Sequence, residues 1–321
     1  AIVLRPTAAE AYLKFGIEIG DRQVALKWAE TPVRIFLNDR TVPGISLADF
    51  QAAVTRAFTT WQAVPTASIS YQFVGFTAAE PFQEDGMSTI GFANRPDLDR
   101  VLGATTFLVD VSTGELLESD ILLNSAFTWS VAGSGENGRF DVESIALHEI
   151  GHLSGLGHSA LGETEVLSTG GRRVLASEAV MFPIAFAAGS IAGRTLRADD
   201  IAGISDLYPD NEVQSKTGSI SGEVIANGAG VFGAHVVAFD LTTGSLVASF
   251  TLDDQGRFAI AGLAPGPHVL RVEPLDDIDP DSVFDPGEPV ALDFRVSFLD
   301  RLVVVPRGGD AAGVQIRVTA K

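Results

Sequence analysis

Three histidines and one glutamate stand together near the middle of the chain. Residues 148–159 read His-Glu-Ile-Gly-His-Leu-Ser-Gly-Leu-Gly-His-Ser, and three of the five histidines of the protein lie within eleven of these positions. In a helix His148 and His152 are one turn apart on the same face, where two imidazoles can bind one Zn²⁺ ion. Glu149 then lies beside the metal ion, where a carboxylate can act as a base.

His158 can join this site only if the helix ends before it. On a continuous helix the six residues after His152 advance about 9 Å at ~1.5 Å each, and His158 leaves the shared face. Gly155 can adopt the left-handed conformation that ends a helix and reverses the chain. The sequence therefore predicts that His158 returns as a third ligand, and three imidazoles with one open position form a catalytic zinc site.

The complete His-Glu-x-x-His-x-x-Gly-x-x-His pattern resembles the metzincin zinc proteases, and Ser159 after it resembles the matrixin branch, the matrix-metalloprotease-like family. An accidental cluster on an ordinary core helix is the alternative. Residues 179–183, Ala-Val-Met-Phe-Pro, are similar to the Met-turn of matrixins, in which Met181 would pack beneath the zinc ion. Residues 198–209 are similar to the last matrixin helix. The resemblance covers roughly residues 28–209, and prokaryotic members look closest.

This resemblance implies a zinc-dependent endopeptidase that acts on proteins or peptides. His148, His152 and His158 would hold one Zn²⁺, which lowers the pKa of bound water towards ~7 and polarises the scissile carbonyl. Glu149 would take a proton from the water and pass it to the leaving amine.

The resemblance also assigns the substrate-binding elements. The segment after the Met-turn corresponds to the wall of the S1′ pocket, where Pro183, Ile184 and Phe186 favour an apolar substrate side chain. Ala185 stands where the family usually has tyrosine, which leaves the depth of the pocket open. The strand predicted at residues 103–110 corresponds to the edge strand that pairs with an extended substrate through backbone amides.

Further metal sites are restricted by the residue types present. No histidine precedes His148, so the second zinc site that many animal matrixins build with histidines is excluded. A calcium ion held by oxygens of Asp110, Asp120 or Asn124 remains open, and simple solvation of these side chains is the alternative. An acidic loop at residues 276–288 presents the same choice, with solvation favoured because the glycine and spacing of an EF-hand are lacking.

The matrixin resemblance implies an α+β domain with a twisted mixed sheet and three helices. Ser46 and Asp49 begin a helix whose apolar residues recur at helical spacing, and Asp141 caps the helix that carries the motif. In the last helix Ile201, Ile204 and Tyr208 are expected to face the core. A polar loop of about twenty residues, including Thr169, Gly170 and Gly171, is expected before the Met-turn. Strands are predicted at residues 33–37, 68–73, 88–92, 103–110 and 121–123.

A second domain is predicted after the polar segment at residues 211–217. Short alternating runs separated by glycine are typical of an all-β sandwich, and these turns resemble the carboxypeptidase regulatory-like, transthyretin-like domain. The expected domains are residues 1–212 and 213–321, with His235 and His268 in structural roles. The predicted strands are residues 219–225, 234–240, 245–252, 257–260, 268–272, 291–298 and 313–318.

Composition limits the partners and the compartment. The net charge of −19, from 41 acidic and 22 basic residues, argues against nucleic acid or an anionic membrane as the main partner. The chain has no cysteine, so disulfides and latency through a thiolate on zinc are excluded. No run approaches the ~18 apolar residues of a membrane span.

We therefore expect a secreted, extracellular protein, with association to a cell surface and the oligomeric state left open. The alternative function is a surface-binding or adhesin-like protein in which the β-sandwich is the main functional part and the protease is auxiliary or inactive.

Overall fold

The computed structural model describes residues 5–6, 13–20, 22–168 and 170–321, so Thr169 of the predicted polar loop lies outside the described residues. The helices in these ranges are α1 Leu47–Gln62, α2 Val142–Leu153, α3 Ala198–Leu207 and α4 Val213–Lys216. The strands are β1 Arg5–Pro6, β2 Phe15–Ile19, β3 Arg22–Ala25, β4 Val33–Asn38, β5 Tyr71–Thr77, β6 Ser88–Ala93, β7 Gly103–Asp110, β8 Glu115–Asn124, β9 Trp129–Ser130, β10 Phe140–Asp141, β11 Gly162–Val166, β12 Arg172–Ser177, β13 Gly218–Ala226, β14 Ala229–Gly230, β15 His235–Asp240, β16 Leu246–Phe250, β17 Arg257–Leu263, β18 Gly266–Glu273, β19 Ser297–Phe298, β20 Val303–Val305 and β21 Asp310–Arg317.

One compact unit comprises Leu26–Gly155 and Ala185–Leu196. Its sheet has the strand order β5-β4-β6-β8-β7, in which β7 is antiparallel to β8 and the other pairs are parallel. The sheet is therefore mixed, as predicted. Strand β7 lies at its edge, the place that the sequence assigned to a substrate-pairing strand.

Helices α1 and α2 are joined through buried side chains of this unit. The Ser46 hydroxyl caps α1 by accepting a hydrogen bond from the Asp49 amide at 3.1 Å, which confirms the predicted helix start. Phe50 and Trp61 are fully buried on the inner face of α1. The Trp61 indole N–H donates to the Leu147 carbonyl at 2.8 Å, and this bond fixes α1 against the helix that carries the histidines.

The other compact unit comprises Ala1–Ala25, Leu156–Ile184 and Arg197–Lys321. Its largest part is a β-sandwich. In one sheet β13 pairs with β14, β17 and β21, and in the other β15 lies between β16 and β18, with β19 and β20 both pairing with β18. The core between the sheets contains Val236, Phe258 and Leu270. An α+β fold followed by an all-β sandwich is thus confirmed.

Helix α3 packs directly on the sandwich within this unit. Ala202 of α3 belongs to the same buried cluster as the sandwich core. A Cβ atom at Gly262 of β17 would lie 2.8 Å from the Ala202 Cβ, so the absence of a side chain at Gly262 permits this close approach. The division into domains at residue 212 stays a prediction, although residues 156–184 and 197–209 group with the sandwich residues in this unit.

The structure differs from the prediction in the type of one element and in the burial of one residue. The polar loop expected before the Met-turn contains the hairpin β11–β12, and Gly170 and Gly171 have positive φ values at its turn. The glycines that indicated a loop are therefore hairpin-turn residues. Ile201 is 36% exposed, whereas Ile204 and Tyr208 are buried as expected, because the inner face of α3 is narrower than the apolar pattern indicated.

Other differences concern strand bounds. The strand expected at residues 68–73 is Tyr71–Thr77, and the one expected at residues 291–298 is reduced to Ser297–Phe298. Strand Val303–Val305 was not predicted, since its three residues are too few for an alternating pattern. Among the described residues, no helix has both the length and the apolar character needed to cross a bilayer.

Candidate metal centre

Helix α2 begins at a well-defined cap. The Asp141 carboxylate accepts the Ser144 amide at 2.9 Å, as the sequence predicted, and the Arg194 guanidinium donates to both carboxylate oxygens at 2.6 and 2.8 Å. From this start α2 carries His148 and His152 one turn apart, with ring centroids separated by 4.7 Å. The cap therefore fixes the axial position of both rings.

Helix α2 ends at the glycine that the sequence indicated. Ser154 is the C-cap, and Gly155 follows with a φ of 100°. The Gly155 amide donates to the His152 carbonyl at 2.6 Å. Ser154 is fully buried, and its hydroxyl lies 2.6 Å from the Tyr71 hydroxyl. The turn after α2 is therefore fixed by a backbone hydrogen bond of Gly155 and by a side-chain hydrogen bond of Ser154.

Within the continuous segment 148–158, the three histidines meet. One nitrogen from each of His148, His152 and His158 lies within 4.8 Å of the others, the only such group of three or more potential ligands found in the described part of the chain. Burial lowers the pKa of His158, which favours the neutral imidazole that binds metals. Its Nδ1 lies 2.5 Å from the Ser282 carbonyl oxygen. The donor set fits Zn²⁺.

Glu149 is buried beside these ligands, with 5% of its surface exposed. Burial raises the pKa of its carboxyl to about 7, although a hydrogen bond from the Thr105 hydroxyl opposes this rise. That hydroxyl donates to Glu149 Oε2 at 2.7 Å. A Cβ atom at Gly103 would lie 2.5 Å from Oε1 of Glu149. Strand β7 therefore both orients the carboxylate and leaves room for it.

The predicted Met-turn lies next to the third ligand along the backbone. Met181 is fully buried, and its carbonyl accepts the Ser159 amide at 2.9 Å. The Asp200 carboxylate accepts the amides of Val180 at 2.8 Å and Met181 at 3.1 Å, which anchors the turn to α3. That Met181 packs beneath a zinc ion stays a prediction.

A second buried carboxylate contacts the residue after the third ligand. The Ser159 hydroxyl donates to Asp199 Oδ2 at 2.6 Å, and the Ala248 amide of β16 donates to Oδ1 at 2.8 Å. Burial raises the pKa of Asp199 to about 8. Asp200 therefore anchors the Met-turn, and Asp199 anchors the segment that carries His158.

The three residues predicted to line the S1′ pocket are partly buried. Ile184 packs against a buried cluster that includes Phe182. The apolar S1′ preference stays a prediction.

The candidate calcium ligands are spread along the β7–β8 ladder. Asp120 pairs with Thr106, four positions from Asp110, and Asn124 lies four positions beyond Asp120. The Asp120 carboxylate accepts three backbone amides, and burial raises its pKa to about 6. The Asn124 amide donates to three backbone carbonyls. Asp120 and Asn124 thus have hydrogen-bond partners within the protein, in contrast to the simple solvation considered as the alternative. A calcium site at these residues stays a prediction.

The two histidines and the acidic loop of the predicted second domain also have hydrogen-bond partners within the protein. His235 is buried with Nδ1 3.0 Å from Glu273 Oε1, a carboxylate 38 positions away that no local sequence pattern indicates. His268 Nδ1 lies 3.1 Å from the Gly266 carbonyl. In the acidic loop, Asp277 accepts the Thr164 amide at 2.7 Å, so this residue is not simply solvated.

Sequence reasoning missed Thr105, Gly103 and Ser282 as neighbours of the metal centre. A threonine or glycine in a strand carries no pattern that points to a helix 44 or more positions away. Ser282 contributes a backbone carbonyl, which every residue type possesses. The one sequence signal for Gly103 and Thr105 was the prediction that residues 103–110 form the edge strand that pairs with the substrate.

The family model described as Matrixin matches residues 27–209, more than half of the chain, and the model described as Carboxypeptidase regulatory-like domain matches residues 219–297. Metalloendoproteinase 1 of Glycine max is 31% identical over 181 residues, which cover 50% of this chain and 46% of that protein.

Two Arabidopsis thaliana relatives are similar in the same way. Metalloendoproteinase 1-MMP is 33% identical over 172 residues, 51% of this chain and 39% of the relative. Metalloendoproteinase 4-MMP is 26% identical over 231 residues, 68% of this chain and 59% of the relative. The chain thus spans less than two thirds of the length of each of these plant proteins, and the expected likeness to prokaryotic members stays a prediction.

Proposed function

We propose, from the premise that the chain belongs to the matrixin family, that it is a zinc-dependent endopeptidase with Glu149 as its general base. The observation that carries this proposal is the meeting of three histidine nitrogens within 4.8 Å beside a buried glutamate. The plant relatives named as metalloendoproteinases support the same reaction class.

Each group at the metal centre has a separate role in the proposed reaction. A Zn²⁺ ion held by His148, His152 and His158 would supply Lewis-acid polarisation of the scissile carbonyl and activation of water. Glu149 accepts the proton of the attacking water and delivers it to the leaving amine. A carboxyl with a pKa raised to about 7 by burial is suited to both tasks near neutral pH.

Substrate binding is assigned to the edge strand of the mixed sheet. Strand β7 pairs with β8 on one side, and its other side carries the backbone groups that an added strand would use. An extended protein or peptide substrate fits this mode. Pro183, Ile184 and Phe186 would favour an apolar side chain after the cleaved bond, and the protein would act in a secreted, extracellular setting.

The alternative of an adhesin-like protein with an auxiliary or inactive protease is less well supported. None of the three histidines nor Glu149 has been replaced, and the matched relatives bear the names of metalloendoproteinases. We therefore propose the protease function and not the adhesin-like alternative.

The test compares Glu149→Gln with Glu84→Gln, which makes the same change at an exposed position. Metal content is measured by mass spectrometry, and cleavage of casein is followed with and without a chelator. We expect one zinc ion per chain in both variants and chelator-sensitive cleavage in Glu84→Gln. Glu149→Gln should lose roughly 10²–10⁴-fold in rate. Full turnover by Glu149→Gln would refute the role of the glutamate, and a protein without zinc under non-chelating conditions would refute the metal site.

A further inference from the structure

The third histidine contacts the loop that follows strand β18 of the β-sandwich. Nδ1 of His158 lies 2.5 Å from the carbonyl oxygen of Ser282. A carbonyl can only accept, so this contact requires the proton of a neutral imidazole to be on Nδ1. Nε2 then carries the lone pair that a metal ion needs.

The carbonyl is held in place by a short turn and a buried anchor. Pro280–Ser282 form one turn of 3-10 helix, in which the Ser282 amide donates to the Asp279 carbonyl at 2.8 Å. Phe284, two residues later, is 3% exposed and packs against Phe232 and Phe250, with ring centroids 5.4 Å away in each case. The position of the carbonyl is therefore fixed by the packing of the sandwich.

The start of the same loop is fastened to the hairpin that follows the third ligand. The Thr164 amide donates to Asp277 Oδ1 at 2.7 Å, and the Thr164 hydroxyl donates to the Asp277 carbonyl at 2.7 Å. The Arg172 guanidinium donates to the Asp276 carbonyl at 2.9 Å. Residues 276–284, which we name the sandwich loop, are thus held at both ends.

The sandwich reaches the metal-binding segment at a second point. Asp199 accepts one hydrogen bond from Ser159, next to His158, and another from Ala248 in strand β16. Buried apolar contacts reinforce this link, because Leu161 and Ala179 form one cluster with sandwich residues Val237 and Ala248. The segment carrying the third ligand therefore rests on the second domain through both polar and apolar contacts.

We propose that the sandwich loop is part of the metal centre and that the Ser282 carbonyl is a positioning group, which fixes the tautomer and ring orientation of His158 for binding through Nε2. This inference rests on the proposed zinc site. The β-sandwich then has a role in forming the centre itself, in addition to any role in binding other molecules. Partners that orient a metal-binding histidine are commonly worth 10–100-fold in metal affinity.

The test uses the full chain and three variants. Replacing residues 280–282 by three glycines keeps the loop length but removes the fixed turn, and Pro280→Gly is a milder form of the same change. Ser282→Ala is the matched control, because it removes the hydroxyl and keeps the carbonyl. Zinc dissociation constants are measured by competition with a chromogenic chelator, and the histidine tautomer is read from nitrogen-15 NMR of the imidazole rings.

We expect the triple-glycine variant to bind zinc 10–100-fold more weakly and Pro280→Gly to show a smaller loss in the same direction. Ser282→Ala should match the unmodified protein. In the zinc-free unmodified protein His158 should carry its proton on Nδ1, a measurement that needs no variant to fold. A proton on Nε2 would overturn the inference, as would unchanged zinc affinity in the folded triple-glycine variant. Failure of the unmodified protein to bind zinc would instead refute the proposed function.

Discussion

Thr105 offers the sharpest test of how the candidate base is tuned. Its hydroxyl donates to Glu149 Oε2 at 2.7 Å, and this bond holds the pKa of the buried carboxyl below the value that burial alone would give. Thr105→Val keeps the shape and the strand propensity of the side chain but removes the donor. The variant should therefore make Glu149 harder to ionise.

The size of the effect follows from the value of one hydrogen bond. A hydrogen bond to a charged group contributes about 1.5–3 kcal/mol, and the lower figure applies here because water can replace part of the lost contact. Since 1.36 kcal/mol corresponds to one unit of pKa, the acid limb of the rate profile should move up by about one pH unit. The rate measured on that limb should then fall about tenfold, with little change on the alkaline side.

The assay is kcat/KM for a quenched fluorescent peptide between pH 5 and 9, on a conventional grid of roughly half-unit steps. Thr105→Ser should restore the unmodified profile because it restores the hydroxyl. Thr106→Val is the matched control, since Thr106 is the exposed neighbour in the same strand. An acid limb that does not move in Thr105→Val, or that moves equally in Thr106→Val, would show that the bond does not tune Glu149.

Two further predictions concern space and proton binding near the centre. Gly103→Ala should lower kcat/KM in a folded protein, because the new Cβ would lie 2.5 Å from Glu149 Oε1. Gly75→Ala is the control and should keep its activity, since a Cβ atom there has no atom within 4 Å. Equal activity of the two variants would contradict this prediction. Asp199 has a pKa of about 8 in the native state against an ordinary 3.8, so the native state keeps a proton that the unfolded state loses, and stability should fall as pH rises through that window. Asp199→Asn should weaken this dependence in urea unfolding at several pH values, and an unchanged slope would be inconsistent with the shift.

Local patterns were sufficient to predict the elements that carry the chemistry. The spacing of His148 and His152 requires only the helix period, and Gly155 requires only the conformational freedom of glycine. The caps at Ser46 and Asp141 involve partners three residues away. In each case the interaction joins residues within a few positions of each other, so the sequence displays it directly.

Contacts between distant residues could not be read in this way. The Thr105–Glu149 bond spans 44 positions and the His158–Ser282 contact spans 124. The exposure of Ile201 depends on how wide a strip of α3 the sandwich covers, which the helical pattern alone does not determine. The hairpin at residues 162–177 was interpreted as a loop because this segment is polar and contains two adjacent glycines.

The excess of acidic residues has a structural use that net charge alone does not reveal. The chain has no cysteine, so no disulfide can fix the loops around the metal centre. Buried aspartate side chains take over this task by accepting hydrogen bonds. Asp120 accepts two amides of the loop that leads into β6, Asp200 accepts two amides of the Met-turn, and Asp199 joins Ser159 to strand β16. A cation at Asp120 would have to compete with three amide donors already in place. Hydrogen bonds from backbone amides to aspartate side chains therefore order this part of the protein, and a calcium ion at Asp120 stays a prediction.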